Sequence, residues 1–433
     1  MNQQLVGKGS VATPLSDLEV RDVCQEALSP VPIDGKRVLV VIPDHTRHAR
    51  IDLFFKILYD ILGARVKALD YLIATGTHAA MEAERIYRHV GITAGEHKTA
   101  YPNVRFFNHE HDNPAMLRSI GTIDAKEIAE LTNGLFSEPI EITINRLVLE
   151  YDHVLLVSPV VTHEAMGFAG GNKYFFPGIA GLKVVETFHW LAAILTNPVV
   201  NGMKDTPTRR VIDRATEFIP TPRTCLAFVV NEEEQPMCLF VGEPKESWSR
   251  AVDYCRQLHI TYLDEPRKTV LAVTPDLYED LWVGGKAMYK LEPVIADGGE
   301  VIIYGPQIRS LSFVHEKEIR RIGYHVLEYF TGQWQRFSSE PKLILAHSTN
   351  VRGIGSWKNG IEAPRITVTL ATSIPEEVCR SVNLGYRDYH SIDPAAWKAR
   401  QTGEMMVVEN AGQYLFRLKN GSTNKQLKTG VQA

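Results

Sequence analysis

From its first fifty residues onward the chain alternates short apolar runs with amphipathic stretches. RVLVVIP (37–43) is an apolar run of strand length, and LFFKILYDILGA (53–64) follows with apolar residues at helical spacing. VKALDYLIAT (66–75) and MEAERIYRHV (81–90) repeat the pair. Strand-loop-helix repetition predicts an α/β fold whose mainly parallel or mixed sheets are flanked by helices. Ligands of such sheets gather beyond the C-terminal strand ends, which puts the loops PDHTRHAR (43–50) and ATGTHAA (74–80) on the ligand side.

EITINRLVLEYD (141–152) and HVLLVSPVV (153–161) read as further strands leading into HEAMGFAGGNKYFFPGIAG (163–181) and the helix KVVETFHWLAAIL (183–195). A new alternation begins with TVLAVTP (269–275), the helix-like LWVGGKAMYKLEPVIADGG (281–299) and EVIIYGP (300–306). LILAHS (343–348) and RITVTLATS (365–373) are expected strands, and MMVVENAGQYLF (405–416) an expected hairpin. The expected domains are 1–266, 267–403 as an α/β domain closing over the first, and 404–433 as a hairpin that could return to the first, followed by a frayed polar tail. The active site is expected in the interdomain cleft.

Composition narrows the class. A chain of 433 residues, 44% hydrophobic and 23% charged, can bury a core in each of two domains. A net charge of −4 gives no field for nucleic acid or an anionic membrane. The five cysteines show no C-x-x-C spacing, so a disulfide framework or a thiolate zinc site is not expected. With no signal-like start and no long apolar span, a cytoplasmic protein is expected.

The glycine-rich segment carries the candidate chemistry. Gly167, Gly170, Gly171, Gly178 and Gly181 surround Lys173 ahead of a helix. Glycines admit close backbone approach and a helix N-terminus favours an anion, so a nucleotide cradle is one reading and a tight loop the other. Neither the P-loop nor the dinucleotide spacing is present. His163 lies ten residues before Lys173 and His189 sixteen after. A lysine there could clamp phosphate, act as a nucleophile or tether a cofactor, and each histidine could be a base, a ligand or a core residue.

The run H-E-x-x-G-F-A-G-G-N-K-x-x-x-P-G-I-A-G followed by E-T-F-H resembles the central signature of lactate racemase and its homologues, which use a nickel-pincer nucleotide. P-D-H-T-R (43–47), A-T-G-T-H (74–78), H-D (111–112) and I-N-R (144–146) extend the resemblance through the first domain. It implies a covalent cofactor tether at Lys173, His189 as the protein ligand to nickel, and His111 and His163 as two general bases. It further implies that Asp44, Thr46 and Arg47 contact cofactor or substrate, with Arg47 suited to a carboxylate, and that Lys286 contacts the substrate, while Gly170 and Gly171 are the glycines expected to cradle the cofactor. Cofactor-synthesis proteins would be its partners in maturation. The implied reaction inverts C2 of a 2-hydroxy acid. Hydride abstraction there avoids a carbanion beside a carboxylate, and two imidazoles serve the two enantiomers.

The chain departs from the lactate pattern at His48 and Arg50, at Trp282 and Val283, and at Asn172. The added polarity suits a sugar acid (aldonate) better than lactate, although polar loop residues are also ordinary surface. His109 competes with His111, since both would share one face of a strand end. Trp357 could cover the substrate or anchor its own loop, and His347 is expected to be structural. Two other readings stay open: a conventional divalent-metal isomerase using His111, His163 and His189, and a non-catalytic nickel-cofactor carrier.

Overall fold

The computed structural model describes residues 4–47 and 49–420 and shows a mixed α/β fold. The chain divides into two compact units: residues 1–161, 168–185 and 209–258 form the first, and 162–167, 186–208 and 259–433 the second. Among the described residues no helix is long and apolar enough to cross a membrane.

The first unit is built on a seven-stranded sheet. Its strands in chain order are β1 (Val6–Gly9), β2 (Arg37–Pro43), β3 (Ala68–Ala74), β4 (Phe106–Asn108), β5 (His153–Pro159), β6 (Arg223–Val230) and β7 (Pro236–Gly242). They lie in the order β1-β7-β6-β5-β2-β3-β4. The run from β6 to β4 is parallel, while β7 and β1 close one edge antiparallel. β2 is followed outward by β3 and β4 on one side, and the chain then returns to place β5 on the other. The topological switch therefore lies between β2 and β5, where open α/β sheets bind ligands.

One face of this sheet is covered by helices α1 (Asp17–Leu28) and α2 (Ile51–Leu62). A Ser16–Glu19 capping box starts α1. Alternate strand residues, Val38, Val40 and Ile42 of β2 and Leu69, Tyr71 and Ile73 of β3, point into the same core as Phe54 and Phe55. The Phe54 ring stands 4.4 Å from Phe228 of β6, and Phe55 5.1 Å from Tyr71. The intervening residues Leu39, Val41 and Leu72 are also buried, which explains why the parallel strands read as continuous apolar runs. The expected strand at 141–152 is shorter, Ile140–Asn145. It pairs antiparallel with Leu117–Ile123 in a separate ribbon.

The second unit contains an all-parallel five-stranded sheet. Its strands are β8 (Arg267–Val273), β9 (Ile295–Gly305), β10 (Thr367–Thr372), β11 (Gly385–Tyr386) and β12 (Met405–Val408), in the order β11-β10-β9-β8-β12. Its switch point lies between β8 and β12. The expected hairpin at 405–416 does not form: β12 pairs with β8, and Leu415–Leu418 pairs in parallel with Ile260–Leu263. Nor is LILAHS a strand. It lies within the helix Lys342–Arg352, in which every residue from Leu343 to Val351 is buried, so no polar face was present to mark the helical period. The helix-like stretch at 281–299 breaks into two short helices, Leu281–Gly284 and Lys286–Tyr289, and a 3₁₀ turn, Glu292–Val294.

Because Phe54 fills the space between α2 and β6, Phe54→Ala should cost the first unit about 3–5 kcal/mol. Urea unfolding followed by circular dichroism would measure the loss.

Candidate functional site

The loop after β2 begins with Asp44, a carboxylate only 3% exposed. One oxygen, Oδ1, accepts from the Thr46 backbone N–H at 3.0 Å and from its hydroxyl at 2.7 Å. The other, Oδ2, lies 2.5 Å from Nδ1 of His78, in the loop after β3. Burial alone would raise the Asp44 pKa, but His78, the Thr46 hydroxyl and Arg47 overcome it and hold the carboxyl far below its ordinary range. An acid fixing one nitrogen of an imidazole leaves the other as the proton-exchanging atom. Gly76, at φ +58 with nothing within 4 Å of an added Cβ, gives the His78 loop its turn.

The glycine segment reaches the same strand ends. The 3₁₀ turn Gly171–Tyr174 carries Lys173 and packs against β2 and β5 at the switch point. Lys173 is half-buried. Its neighbour Tyr174 is buried and interacts electrostatically with Arg47 and Asp44. Gly76 N–H donates to Gly178 O at 3.2 Å, joining this segment to the His78 loop.

Gly170 and Gly171 serve packing. A Cβ on Gly170 would meet Val160 at 2.8 Å, and one on Gly171 would meet Trp248 at 2.8 Å. The Gly171 N–H donates to Ser158 Oγ at 2.7 Å. Arg209, 4.0 Å above the Trp248 ring, donates to the carbonyls of Gly170 and Phe168. Neither position has room for a side chain. Asn172 donates to Asp213 at 2.9 Å, while its buried Oδ1 has no hydrogen-bond partner among the described residues.

The two competing histidines separate. β4 ends at Asn108, so strand alternation does not govern His109 and His111. His109 is buried, with Nε2 2.9 Å from Ala180 O and Nδ1 3.2 Å from Asn145 Nδ2, and burial pushes its pKa down to about 4. It is a core histidine. His111 is half-buried, and its carbonyl accepts from Leu182 N–H at 2.8 Å, where the helix Leu182–Leu195 begins. Burial lowers its imidazole pKa against the pull of Asp112. Arg50 is engaged with Asp52 at 3.2 Å and Asp17 at 3.7 Å. His48 lies outside the described residues.

The second unit holds the remaining candidates. His163, 5% exposed, follows β5 in a short strand. Its Nδ1 accepts from Ala165 N–H at 3.1 Å and lies 3.3 Å from a Glu164 carboxylate oxygen. The adjacent Thr162 hydroxyl is buried without a hydrogen-bond partner among the described residues. His189 is half-buried between Phe188 and Trp190, which are both buried. Trp190 stacks on Trp334 at 5.4 Å. Lys286 sits beside the switch point of the second sheet, with Nζ 5.3 Å from the Tyr278 ring centre and its Cβ beside Gly412. Trp282 packs against His315 and His347, at 4.6 and 4.1 Å between ring centres. Burial first, then His315 and His189, hold the His347 pKa down to about 3. The Trp357 ring packs edge-on against Tyr329 at 4.7 Å and its backbone N–H donates to Glu328 Oε2 at 3.0 Å, as a loop anchor would.

Asp44, Thr46, Arg47 and Lys173 therefore share the ligand end of the first sheet, while His163, His189, Lys286, Trp282 and Trp357 belong to the second unit. Sequence reasoning passed over His78, although A-T-G-T-H was in view. The signal for it was the carboxylate of P-D-H-T-R.

The chain is thus an α/β protein whose loop bearing Lys173 lies across the strand switch of its first sheet, near the Asp44–His78 pair. The lactate racemase N-terminal domain matches residues 20–200. A crystal structure of a protein from Thermotoga maritima has a TM-score of 0.86 at 35% identity, covering 95% of this chain and 100% of that one. The lactate racemase apoprotein from Thermoanaerobacterium thermosaccharolyticum shares the fold, with a TM-score of 0.69 at 16% identity over 94% of each chain. A comparison with curated proteins found no match. Residues 20–200 belong to the lactate racemase N-terminal domain family.

Asp44→Asn should lower stability by about 1–3 kcal/mol at neutral pH, because a buried, fully bonded carboxylate loses its partners. The depressed folded-state pKa makes this contribution fully present above the unfolded value of about 3.9 and lost as pH falls below it. Denaturation of both proteins between pH 7 and 3 should show the gap narrowing only at the acid end.

Proposed function

We propose that the chain is an isomerase, a racemase or epimerase that inverts C2 of a 2-hydroxy acid with a nickel-pincer nucleotide tethered to Lys173. The observation that carries the reading is the placement of Lys173 across the β2/β5 switch beside the Asp44–His78 pair. Family membership points to the isomerase class.

The residues present fit such a group. Lys173 offers a nitrogen for the tether, and the orphaned Asn172 Oδ1 beside it is an acceptor awaiting a donor. His189 would bind nickel through one imidazole. The group, when bound, supplies a hydride acceptor. Among the described residues no three His, Cys, Asp or Glu side chains come together as a metal site. A divalent-metal isomerase would call on such a cluster, whereas a nickel whose other donors come from the cofactor does not.

His163 and His78 take the two acid-base roles. Asp44 holds His78 Nδ1, so His78 would exchange a proton with the substrate hydroxyl through Nε2, and His163 would do so in the tautomer whose Nδ1–H faces the Glu164 carboxylate 3.3 Å away. His78 replaces His111 here because His111 lacks an orienting acid of that geometry. Arg47 and Lys286 would bind the substrate carboxylate. Two oriented imidazoles favour catalysis over a carrier role. The setting proposed is cytoplasmic, with cofactor-synthesis proteins as the maturation partners.

Protein co-produced with the cofactor-synthesis enzymes should gain mass and nickel, and Lys173→Ala should gain neither. An unmodified mass without nickel in the parent chain would end the proposal. On the matured protein, His78→Gln should slow C2 inversion by about 10²–10⁴-fold, while His111→Gln should leave it near the parent rate. The opposite ranking would return the role to His111.

A further inference from the structure

We propose that Arg209 and Trp248 are positioning residues for Lys173, a stacked pair that grips the backbone ahead of the lysine and holds it ready for the tether; this rests on the covalent-tether reading above. Phe168, Ala169 and Gly170 turn three successive carbonyls toward this pair. Arg209 donates to the first, Phe168 O, and to the third, Gly170 O at 3.2 Å, while Trp248 Nε1 donates to the second, Ala169 O, at 2.8 Å. The guanidinium carbon lies 4.0 Å from the Trp248 ring centre, and both side chains are buried. Three buried carbonyls without donors, or a buried guanidinium without acceptors, would each be costly, and here each need answers the other. Burial lowers the Arg209 pKa to about 10 against the pull of Asp213, so the group stays charged at neutral pH.

The grip reaches the lysine itself. Gly170 O accepts from the Lys173 backbone N–H at 3.3 Å as well as from Arg209, so one carbonyl joins the two residues. Gly171 N–H is held by Ser158, and Asn172 by Asp213, which stands four residues after Arg209 on the helix Pro207–Thr216 and so on the same face. Every residue from Phe168 to Asn172 is therefore bonded to the body of the first unit. From Ala165 to Gly181 each residue is buried except Lys173. A loop set in this way spares an arriving cofactor the cost of ordering it. The planar fork of Arg209 serves two carbonyls at once, which the point charge of a lysine could not do.

Two readouts on the full chain test this. Acetic anhydride labelling at one pH, followed by peptide mass spectrometry, compares Lys173 with the exposed Lys126. Mass gain on co-production with the cofactor-synthesis enzymes reports the tether. Arg209→Met should speed labelling of Lys173 about tenfold, because the loosened loop bares the amine, and should cut the mass gain about tenfold, with Lys126 unchanged. Arg209→Lys should show both effects in part. Trp248→Phe, which keeps a ring under Arg209 but cannot bond Ala169 O, should move both readouts the same way and carries the test if Arg209→Met does not fold. Phe54→Ala, destabilised through the core of the same unit, should move neither, which separates positioning from stability. Parent-like labelling of Lys173 in the folded variants, a parent-like mass gain in them, or the same changes in Phe54→Ala would each overturn the proposal. If the parent chain gains no mass while the labelling shifts as expected, the tether reading falls and the grip on Lys173 stands.

Discussion

A carboxylate buried at the end of a parallel strand must be met by donors, and Asp44 is met by three: the Thr46 amide, the Thr46 hydroxyl and the His78 imidazole. The first two close the loop after β2 on itself. The third ties it to the loop after β3, and that loop is tied through Gly76 to the segment bearing Lys173. Three stretches far apart in sequence thus share one mouth of the sheet because one negative charge cannot be left unanswered there.

The sheet decides where that mouth is. A parallel sheet carries helices on its faces and its connections at its ends, and reversal of strand order at β2/β5 opens a gap between connections. The glycine segment fills part of this gap by close contact with Ser158, Val160 and Trp248. Its glycines are needed first so that the loop can lie against the protein, and this close seating is what positions Lys173. The second sheet repeats the logic on a smaller scale, with Lys286 and Gly412 at its own reversal.

Much of this was legible in the sequence. The strands at 37–43, 66–75 and 153–161 announced themselves because strands buried on both faces are unbroken apolar runs. The apolar stretch Leu343–Ala346 misled in the same way, because it lies in a helix buried all round, with His347 and Ser348 buried too. The ligand-side loops and Lys173 were legible from motif and topology together. Partnerships were not: Asp44 and His78 are 34 residues apart, and Trp282 and His347 are 65 apart. No local pattern links them, so neither contact was legible in the sequence.

The strands of the second unit at residues 260–273 complete their pairing only with residues 405–418. Gly412, which packs against Lys286, arrives within that last stretch. A ribosome would therefore release nearly the whole chain before the lysine has its surroundings, while the segments of the first unit can already have condensed. Completion of the surroundings of Lys286 is by that arrangement a late event in folding, timed by the topology of the second sheet.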